Sequence, residues 1–259
     1  MPGLSADALR QMKADGRRIA MLTGYDCPTA QFVEAAGADL LLVGDTLAMV
    51  VLGFRDTHAM TMDIMLVHVG AARRGAPNTH VIADMPIHSY DTPEQAVTNA
   101  RRFIEAGADS VKVEGAIPEI IRALREAGVE AMGHVGLTPQ TATNTKARGR
   151  DPEEAAAIRQ GARVLEQAGC YAVVLEHMPL GLAQQITADL AIPTIGIGAG
   201  PHCDGQVLVI HDLLGVFERF KPPFVKRYAD LGKLAKDACR RYVDDVRAGA
   251  FPDLDHSTR

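Results

Sequence analysis

Short apolar runs alternate with longer amphipathic stretches from near the start of the chain to about residue 212. The apolar runs are rich in Val, Ile and Leu and nearly continuous, which is typical of β-strands covered by helices on both faces. Eight such strands are predicted, at 19–23, 40–44, 80–83, 110–113, 130–133, 171–175, 194–198 and 207–210.

The stretches between these strands carry signals for helix starts and helix ends. Thr92-Pro93-Glu94-Gln95 and Asp151-Pro152-Glu153-Glu154 each place an N-cap oxygen before a proline at the first helical position. A glycine suited to a left-handed helix end stands just before several strands, at Gly37, Gly107, Gly128 and Gly169. The alternation predicts an α/β fold, a (β/α)8 TIM barrel forming a single domain over 1–259, with a doubly wound open sheet as the alternative.

An extra helix is predicted after the last strand, over 229–247, followed by a polar tail over about 252–259. Apolar positions recur in this helix at spacings of three and four residues, at Leu231, Leu234, Ala235, Ala238 and Tyr242. Because a closed barrel has no interior left to cover, we expect the helix to dock on the outside of the barrel or on a partner subunit.

Composition and charge narrow the class of protein. The 259 residues include 27 Lys and Arg against 32 Asp and Glu, a net charge of −5, which disfavours nucleic acid or an anionic membrane as the main partner. No apolar run approaches the ~18–20 residues of a membrane span, and the polar start lacks a signal-peptide apolar region. The four cysteines are scattered without a CxxC pair. These features predict a soluble, reduced, cytoplasmic protein.

Two acidic residues follow neighbouring predicted strands, Asp45 after the second and Asp84 after the third. Barrel enzymes carry their active sites at the carboxyl ends of the strands. A pair of acids at such a place indicates a hard divalent cation, above all Mg²⁺, which prefers one or two carboxylates. Each acid could instead only cap the segment that follows it. If they bind the metal, loss of either should abolish metal-dependent activity and leave the fold intact.

The fourth to sixth strands add four more candidates. Lys112 and Glu114 share one face of their strand, so buried they must either form a structural ion pair or bind something charged, such as a substrate carboxylate and a metal. Glu176 ends an apolar strand and is a candidate general base, or a salt-bridge partner of a neighbouring strand. His134 is a structural hydrogen-bonding residue or a catalytic one.

With these residues in view, the chain closely resembles the ketopantoate hydroxymethyltransferase (3-methyl-2-oxobutanoate hydroxymethyltransferase) family from about residue 19 to 251. Jointly and in this order, the segments that carry the resemblance are specific. They are Thr23-Gly24-Tyr25-Asp26, Leu42-Val43-Gly44-Asp45, Arg73-Arg74-Gly75-Ala76-Pro77, Val111-Lys112-Val113-Glu114-Gly115, Gly133-His134-Val135-Gly136-Leu137-Thr138-Pro139-Gln140 and Ile195-Gly196-Ile197-Gly198-Ala199-Gly200.

The resemblance implies a magnesium-dependent enzyme of pantothenate biosynthesis that transfers a hydroxymethyl group from 5,10-methylenetetrahydrofolate to 3-methyl-2-oxobutanoate, giving 2-dehydropantoate. It also implies a cytoplasmic homo-oligomer, commonly a decamer. The metal positions of the family fall on Asp45, Asp84 and Glu114, the last directly or through water. The substrate contacts fall on Asp45, Thr46, Asp84 and Lys112, and the general base falls on Glu176. We further expect His134 to orient the substrate or a metal-bound water.

Three departures from the family pattern stand out. Thr46 replaces the usual serine, and the loops at 55–60 and 141–150 lack the usual Pro-Val and double glycine. Both loops are expected over the active end of the barrel, where they bear on the one-carbon donor rather than on the metal.

Two rival functions are weighed against this reading. The first is another Mg-dependent 2-oxo acid lyase or transferase of the phosphoenolpyruvate-mutase/isocitrate-lyase barrel type, but the Lys-Lys-Cys-Gly-His loop usual in those enzymes is missing from this sequence. The second is a catalytically silent barrel used for binding or assembly. That rival predicts lost charges at the strand ends, whereas Asp45, Asp84, Lys112, Glu114 and Glu176 are all present.

Overall fold

The computed structural model describes residues 4–258, and its eight parallel strands close into a barrel in chain order. The strands are β1 Ile19–Thr23, β2 Leu40–Val43, β3 His80–Asp84, β4 Ser110–Glu114, β5 Ala131–Gly136, β6 Ala172–Glu176, β7 Thr194–Ile197 and β8 Gly205–Leu208. β8 pairs with β1 from Ile19↔Gly205 to Leu22↔Leu208, so no strand edge is left open. The predicted (β/α)8 barrel is confirmed, and the open-sheet alternative is wrong.

Helices cover the barrel between the strands. They are α1 Ala6–Ala14, α2 Cys27–Ala35, α3 Leu47–Val50, α4 Met62–Gly75, α5 Pro93–Glu105, α6 Pro118–Glu126, α7 Pro152–Ala168 and α8 Leu180–Asp189. The predicted caps are in place, because the Thr92 side chain accepts from the Gln95 N–H and the Asp151 side chain accepts from Glu153 and Glu154. Gly169 ends α7 in the left-handed region, at a φ of 113°.

The helix α1, which the apolar pattern did not predict, closes the amino-terminal end of the barrel. Its residues Leu9 and Met12 are buried in one cluster with barrel-interior residues such as Ile19 and Leu40. This leaves the carboxyl ends of the strands, here called the barrel mouth, as the place where polar side chains converge.

Two strands differ from their predicted bounds by more than one residue. β5 runs on to Gly136, because its pairing with β6 continues to Gly136↔Glu176, so His134 lies inside the strand and not after it. β8 begins two residues early, at Gly205, which pairs with both Ile19 and Ile195. Gly205 and Gln206 are not apolar, so the apolar pattern predicts a start for this strand that is two residues too late.

The chain forms a second compact unit from Ile210 onward, and the complete barrel belongs to the first. The second unit contains α9 Ile210–Leu213 and α10 Leu231–Arg247. α10 confirms the predicted extra helix, and none of its residues is buried. Its docking partner and the single-domain assignment over 1–259 stay predictions. Within residues 4–258, no helix is long and apolar enough to cross a membrane.

Candidate active site

The barrel mouth brings the predicted charged residues together. Asp84, Glu114 and Glu176 are the last residues of β3, β4 and β6. Asp45 follows β2 by two residues. Since the strands are parallel, these ends lie at one edge of the sheet. The register places Asp84 beside Lys112 and Glu114 beside His134 on neighbouring strands.

Lys112 and Asp84 form a buried ion pair. Lys112 Nζ donates to Asp84 Oδ1 over 2.6 Å, and the two side chains are 6% and 3% exposed. Burial alone would lower the pKa of Lys112, but Asp84, Asp45 and Glu114 outweigh it and raise the pKa above its usual range. The lysine is therefore charged, and the ion pair expected as one alternative from the sequence is present.

Asp45 lies in an excess of negative charge. Its backbone N–H donates to Asp84 Oδ2 (3.1 Å), and its Oδ2 accepts from Gln140 Nε2 (2.9 Å). Burial, followed by the charge of Asp84, raises the pKa of the Asp45 carboxyl to about 8 against the opposing effect of Lys112. The Asp45 carboxyl is therefore buried beside a second acidic group, with Lys112 as the nearby ammonium group.

His134 lies between two carboxylates. Its Nδ1 is 3.4 Å from Glu114 Oε2 and its Nε2 is 3.2 Å from Glu176 Oε2, ion-pair distances without hydrogen-bond geometry. Burial lowers the pKa of His134, but Glu114 and Glu176 outweigh that effect and raise it to about 9. A protonated imidazole cannot accept a proton, which leaves Glu176, with a side chain that is 19% exposed, as the candidate base.

Gln140 is a site residue whose role the sequence did not indicate. Its backbone N–H donates to Glu114 Oε1 (2.7 Å), and its side chain contacts Asp45, the Met85 carbonyl and the Tyr90 hydroxyl. It is neutral and lies four residues past the end of β5, so a pattern of charged residues at strand ends does not predict it as a site residue. Its place in the segment Leu137-Thr138-Pro139-Gln140, quoted for the family resemblance, was the available signal.

Thr46 lies next to Asp45, at the start of the short helix α3, and its side chain is half-buried. Space beside it is limited, because a Cβ added to Gly44 would stand 3.1 Å from Thr46 Oγ1. The hydroxyl therefore lies at the barrel mouth, as expected of a substrate contact.

The two loops that depart from the family pattern both reach the barrel mouth. His58 Nε2 lies 2.9 Å from the Gln140 carbonyl, and the Arg148 N–H donates to the His177 carbonyl directly after β6. Their expected location over the strand ends agrees with these contacts.

Gly136 packs closely against the backbone of Glu176. It has a φ of 104°, and an added Cβ would stand 2.2 Å from the Glu176 carbonyl oxygen. We expect Gly136→Ala to lower the free energy of unfolding by about 1–3 kcal/mol through backbone strain and by about 1–3 kcal/mol more through the clash. Gly128→Ala is the matched control, since Gly128 has a φ of 76° but nothing within 4 Å of the added Cβ. Urea unfolding of both variants measures the difference, and equal losses would contradict the steric role of Gly136.

Among residues 4–258, no cluster of three or more His, Cys, Asp or Glu side chains is arranged to hold an ion. Two neighbouring carboxylates, those of Asp45 and Asp84, are the candidates for a cation that takes its other ligands from substrate and water.

Comparison with known proteins identifies the family. A family model described as ketopantoate hydroxymethyltransferase matches residues 4–254. A 3-methyl-2-oxobutanoate hydroxymethyltransferase of Thermus thermophilus is 52% identical over 250 residues, covering 94% of this chain and 96% of the relative. One of Desulfotalea psychrophila is 49% identical over 253 residues, covering 95% of this chain and 91% of the relative.

Solved structures agree on the fold. A 2,3-dimethylmalate lyase of the PEP mutase/isocitrate lyase superfamily superposes with a TM-score of 0.62 at 20% identity, covering 96% of this chain and 89% of that one. A putative phosphonomutase from Burkholderia cenocepacia has a TM-score of 0.62 at 18% identity, covering 95% and 100%. At these identities the likeness extends to the barrel alone. The sequence relatives, by contrast, match along nearly the full length, and on that ground the chain belongs to the ketopantoate hydroxymethyltransferase family.

Proposed function

We propose that this chain transfers a hydroxymethyl group from 5,10-methylenetetrahydrofolate to 3-methyl-2-oxobutanoate, giving 2-dehydropantoate. The observation that carries the proposal is the buried charge cluster at the barrel mouth, in which Asp45, Asp84 and Lys112 share one end with Glu176. Removal of the C3 proton from a 2-oxo acid needs a base near that hydrogen and positive charge near the oxygens, and this cluster offers both. The rival of a silent barrel is disfavoured, since every charged group is retained.

The residues present fit Mg²⁺. Burial, followed by the charge of Asp84, raises the pKa of Asp45, and a divalent cation would offset both effects by stabilising the carboxylate form. Asp45 and Asp84 would hold the ion, with Glu114 binding it directly or through water. Once bound, the cation would supply Lewis-acid stabilisation of negative charge on the keto oxygen.

Lys112 and Thr46 would bind the 2-oxo acid. An ammonium group has three donors, and the ion pair with Asp84 uses one of them. The remaining donors can meet a substrate oxygen and stabilise the charge that develops there. The Thr46 hydroxyl, beside Asp45, supplies a further hydrogen-bonding group for the substrate.

Glu176 would remove the C3 proton. Its carboxylate is partly exposed at the end of β6, and Nε2 of the neighbouring His134 lies 3.2 Å from its Oε2. Once Glu176 has taken the proton, the C3 electron pair can form a C–C bond to the methylene carbon of the donor. Both C–N bonds from that carbon to the folate break, one as the C–C bond forms and the other as water supplies the hydroxyl oxygen. The proton taken by Glu176 and one proton of the water go to the two folate nitrogens.

Proton exchange tests the proposal in two separable steps. In deuterated buffer, the C3 hydrogen of 3-methyl-2-oxobutanoate should exchange when enzyme and Mg²⁺ are present, as followed by NMR. Product should form only when 5,10-methylenetetrahydrofolate is added. Exchange without product under any donor condition would contradict the transfer, and product formation without Mg²⁺ would contradict the metal assignment.

The assembly and the location of the protein stay predictions. A homo-oligomer, a decamer by family resemblance, and a cytoplasmic location are what the family implies for this chain.

A further inference from the structure

Gln140 lies where three strand ends meet. Its backbone N–H donates to Glu114 Oε1 (2.7 Å) after β4, and its Nε2 donates to Asp45 Oδ2 (2.9 Å) after β2. The same Nε2 donates to the carbonyl of Met85 (3.0 Å) after β3. The residue is 2% exposed, so these bonds are sheltered from competing water. Gln140 therefore bonds two of the acidic residues to which the proposed function assigns the cation, Asp45 through its side chain and Glu114 through its backbone N–H.

The surroundings allow one orientation of the Gln140 amide. The Tyr90 hydroxyl donates to Oε1, while the two neighbours on the other side, the Met85 carbonyl and the Asp45 carboxylate, are acceptors. A flipped amide would turn its oxygen toward both acceptors and leave them without a donor. The Met85 carbonyl, which can only accept, thus fixes the amide nitrogen on the side of Asp45, and the Tyr90 hydroxyl donates to the amide oxygen on the other side.

The backbone of Gln140 is anchored from a third direction. His58 Nε2 lies 2.9 Å from its carbonyl oxygen, and a carbonyl can only accept, so the imidazole N–H is the donor. The loop at 55–60, which departs from the family pattern, thereby contacts the residue that contacts Asp45 and Glu114. The main chain of Gln140 is held on its carbonyl side by His58 and on its N–H side by Glu114.

We propose that Gln140 is the positioning residue of the metal centre, holding the carboxylates of Asp45 and Glu114 in the orientation that binds the divalent cation. The inference rests on the proposed function for the assignment of the ion to this site. By occupying Asp45 Oδ2 with an N–H, Gln140 restricts rotation of that carboxylate. Groups that orient metal ligands in this way typically contribute ~10–100-fold to metal affinity.

Gln140→Met tests the role, because methionine has a similar length and no polar group that can hold Asp45. The dissociation constant for Mn²⁺, measured by EPR without substrate or folate, should rise by ~10–100-fold. Tyr90→Phe keeps the glutamine but frees its amide, and the constant should rise by about fivefold, as expected for the loss of one hydrogen bond. Gln185→Ala, on the exposed face of α8, is the matched control and should bind as the parent does.

The Tm separates positioning from a merely structural role. Positioning predicts weaker Mn²⁺ binding by variants whose Tm in EDTA stays close to that of the parent. A lowered Tm with unchanged Mn²⁺ affinity would overturn the proposal, and if Gln140→Met fails to fold, unchanged affinity in Tyr90→Phe does so. Equal affinity in parent and variants overturns only the role of Gln140. An absence of Mn²⁺ binding by the parent chain instead overturns the metal assignment, and this inference with it.

Discussion

Replacing Glu176 by glutamine should slow proton exchange at C3 of 3-methyl-2-oxobutanoate by ~10²–10⁴-fold, the usual contribution of a general base. The variant keeps the shape of the side chain but cannot accept the proton. In the parent chain, Glu114 and Glu176 outweigh the effect of burial and raise the pKa of the neighbouring His134 to about 9, which favours Glu176 over His134 as the base. NMR in deuterated buffer with saturating Mg²⁺ measures the exchange.

Binding should survive this change. The dissociation constants for Mg²⁺ and for the 2-oxo acid should remain within a few-fold of the parent, because Glu176 is not among the residues proposed to hold either. Glu105→Gln, at the exposed end of α5, is the control for loss of one carboxylate. Exchange at the parental rate in the Glu176 variant would show that the base lies elsewhere.

Asp84→Ala should lower the free energy of unfolding by about 3–5 kcal/mol, because it leaves Lys112 charged, buried and without its partner. The sequence alone leads to the expectation that loss of either acid spares the fold, and the 2.6 Å ion pair corrects that expectation for Asp84. Asp45→Asn should behave oppositely. It relieves the repulsion between Asp45 and Asp84 while its amide oxygen can still accept from Gln140, so stability without metal should be kept or increased.

Urea unfolding in EDTA compares the two variants, and both should lose Mg²⁺-dependent activity. The double variant Asp84→Ala/Lys112→Met is the control, since removing both charges should recover part of the stability that Asp84→Ala loses. Equal destabilisation by Asp84→Ala and Asp45→Asn would contradict this account of the ion pair.

The order of strands and helices along the chain can be predicted from local sequence signals. Apolar runs of four to six residues mark the strands, and capping residues such as Thr92 and Asp151 mark the helices. These signals are weak at two elements. β8 begins at Gly205 and Gln206, which are not apolar, and α1 has only three buried residues, Ala6, Leu9 and Met12, so its apolar pattern does not predict a helix.

A barrel with acidic residues at its strand ends can be predicted from the amino-acid sequence, because parallel strands bring consecutive strand ends to one edge whatever the side-chain details. Which of these charges meet depends on the folded chain. The pairing of Lys112 with Asp84 depends on the register between β3 and β4, and His134 reaches two carboxylates because β5 runs on past its predicted end. Gln140 lies 95 residues along the chain from Asp45, so no local sequence pattern can predict their hydrogen bond. The contact forms only when the loop after β5 folds over the ends of the neighbouring strands.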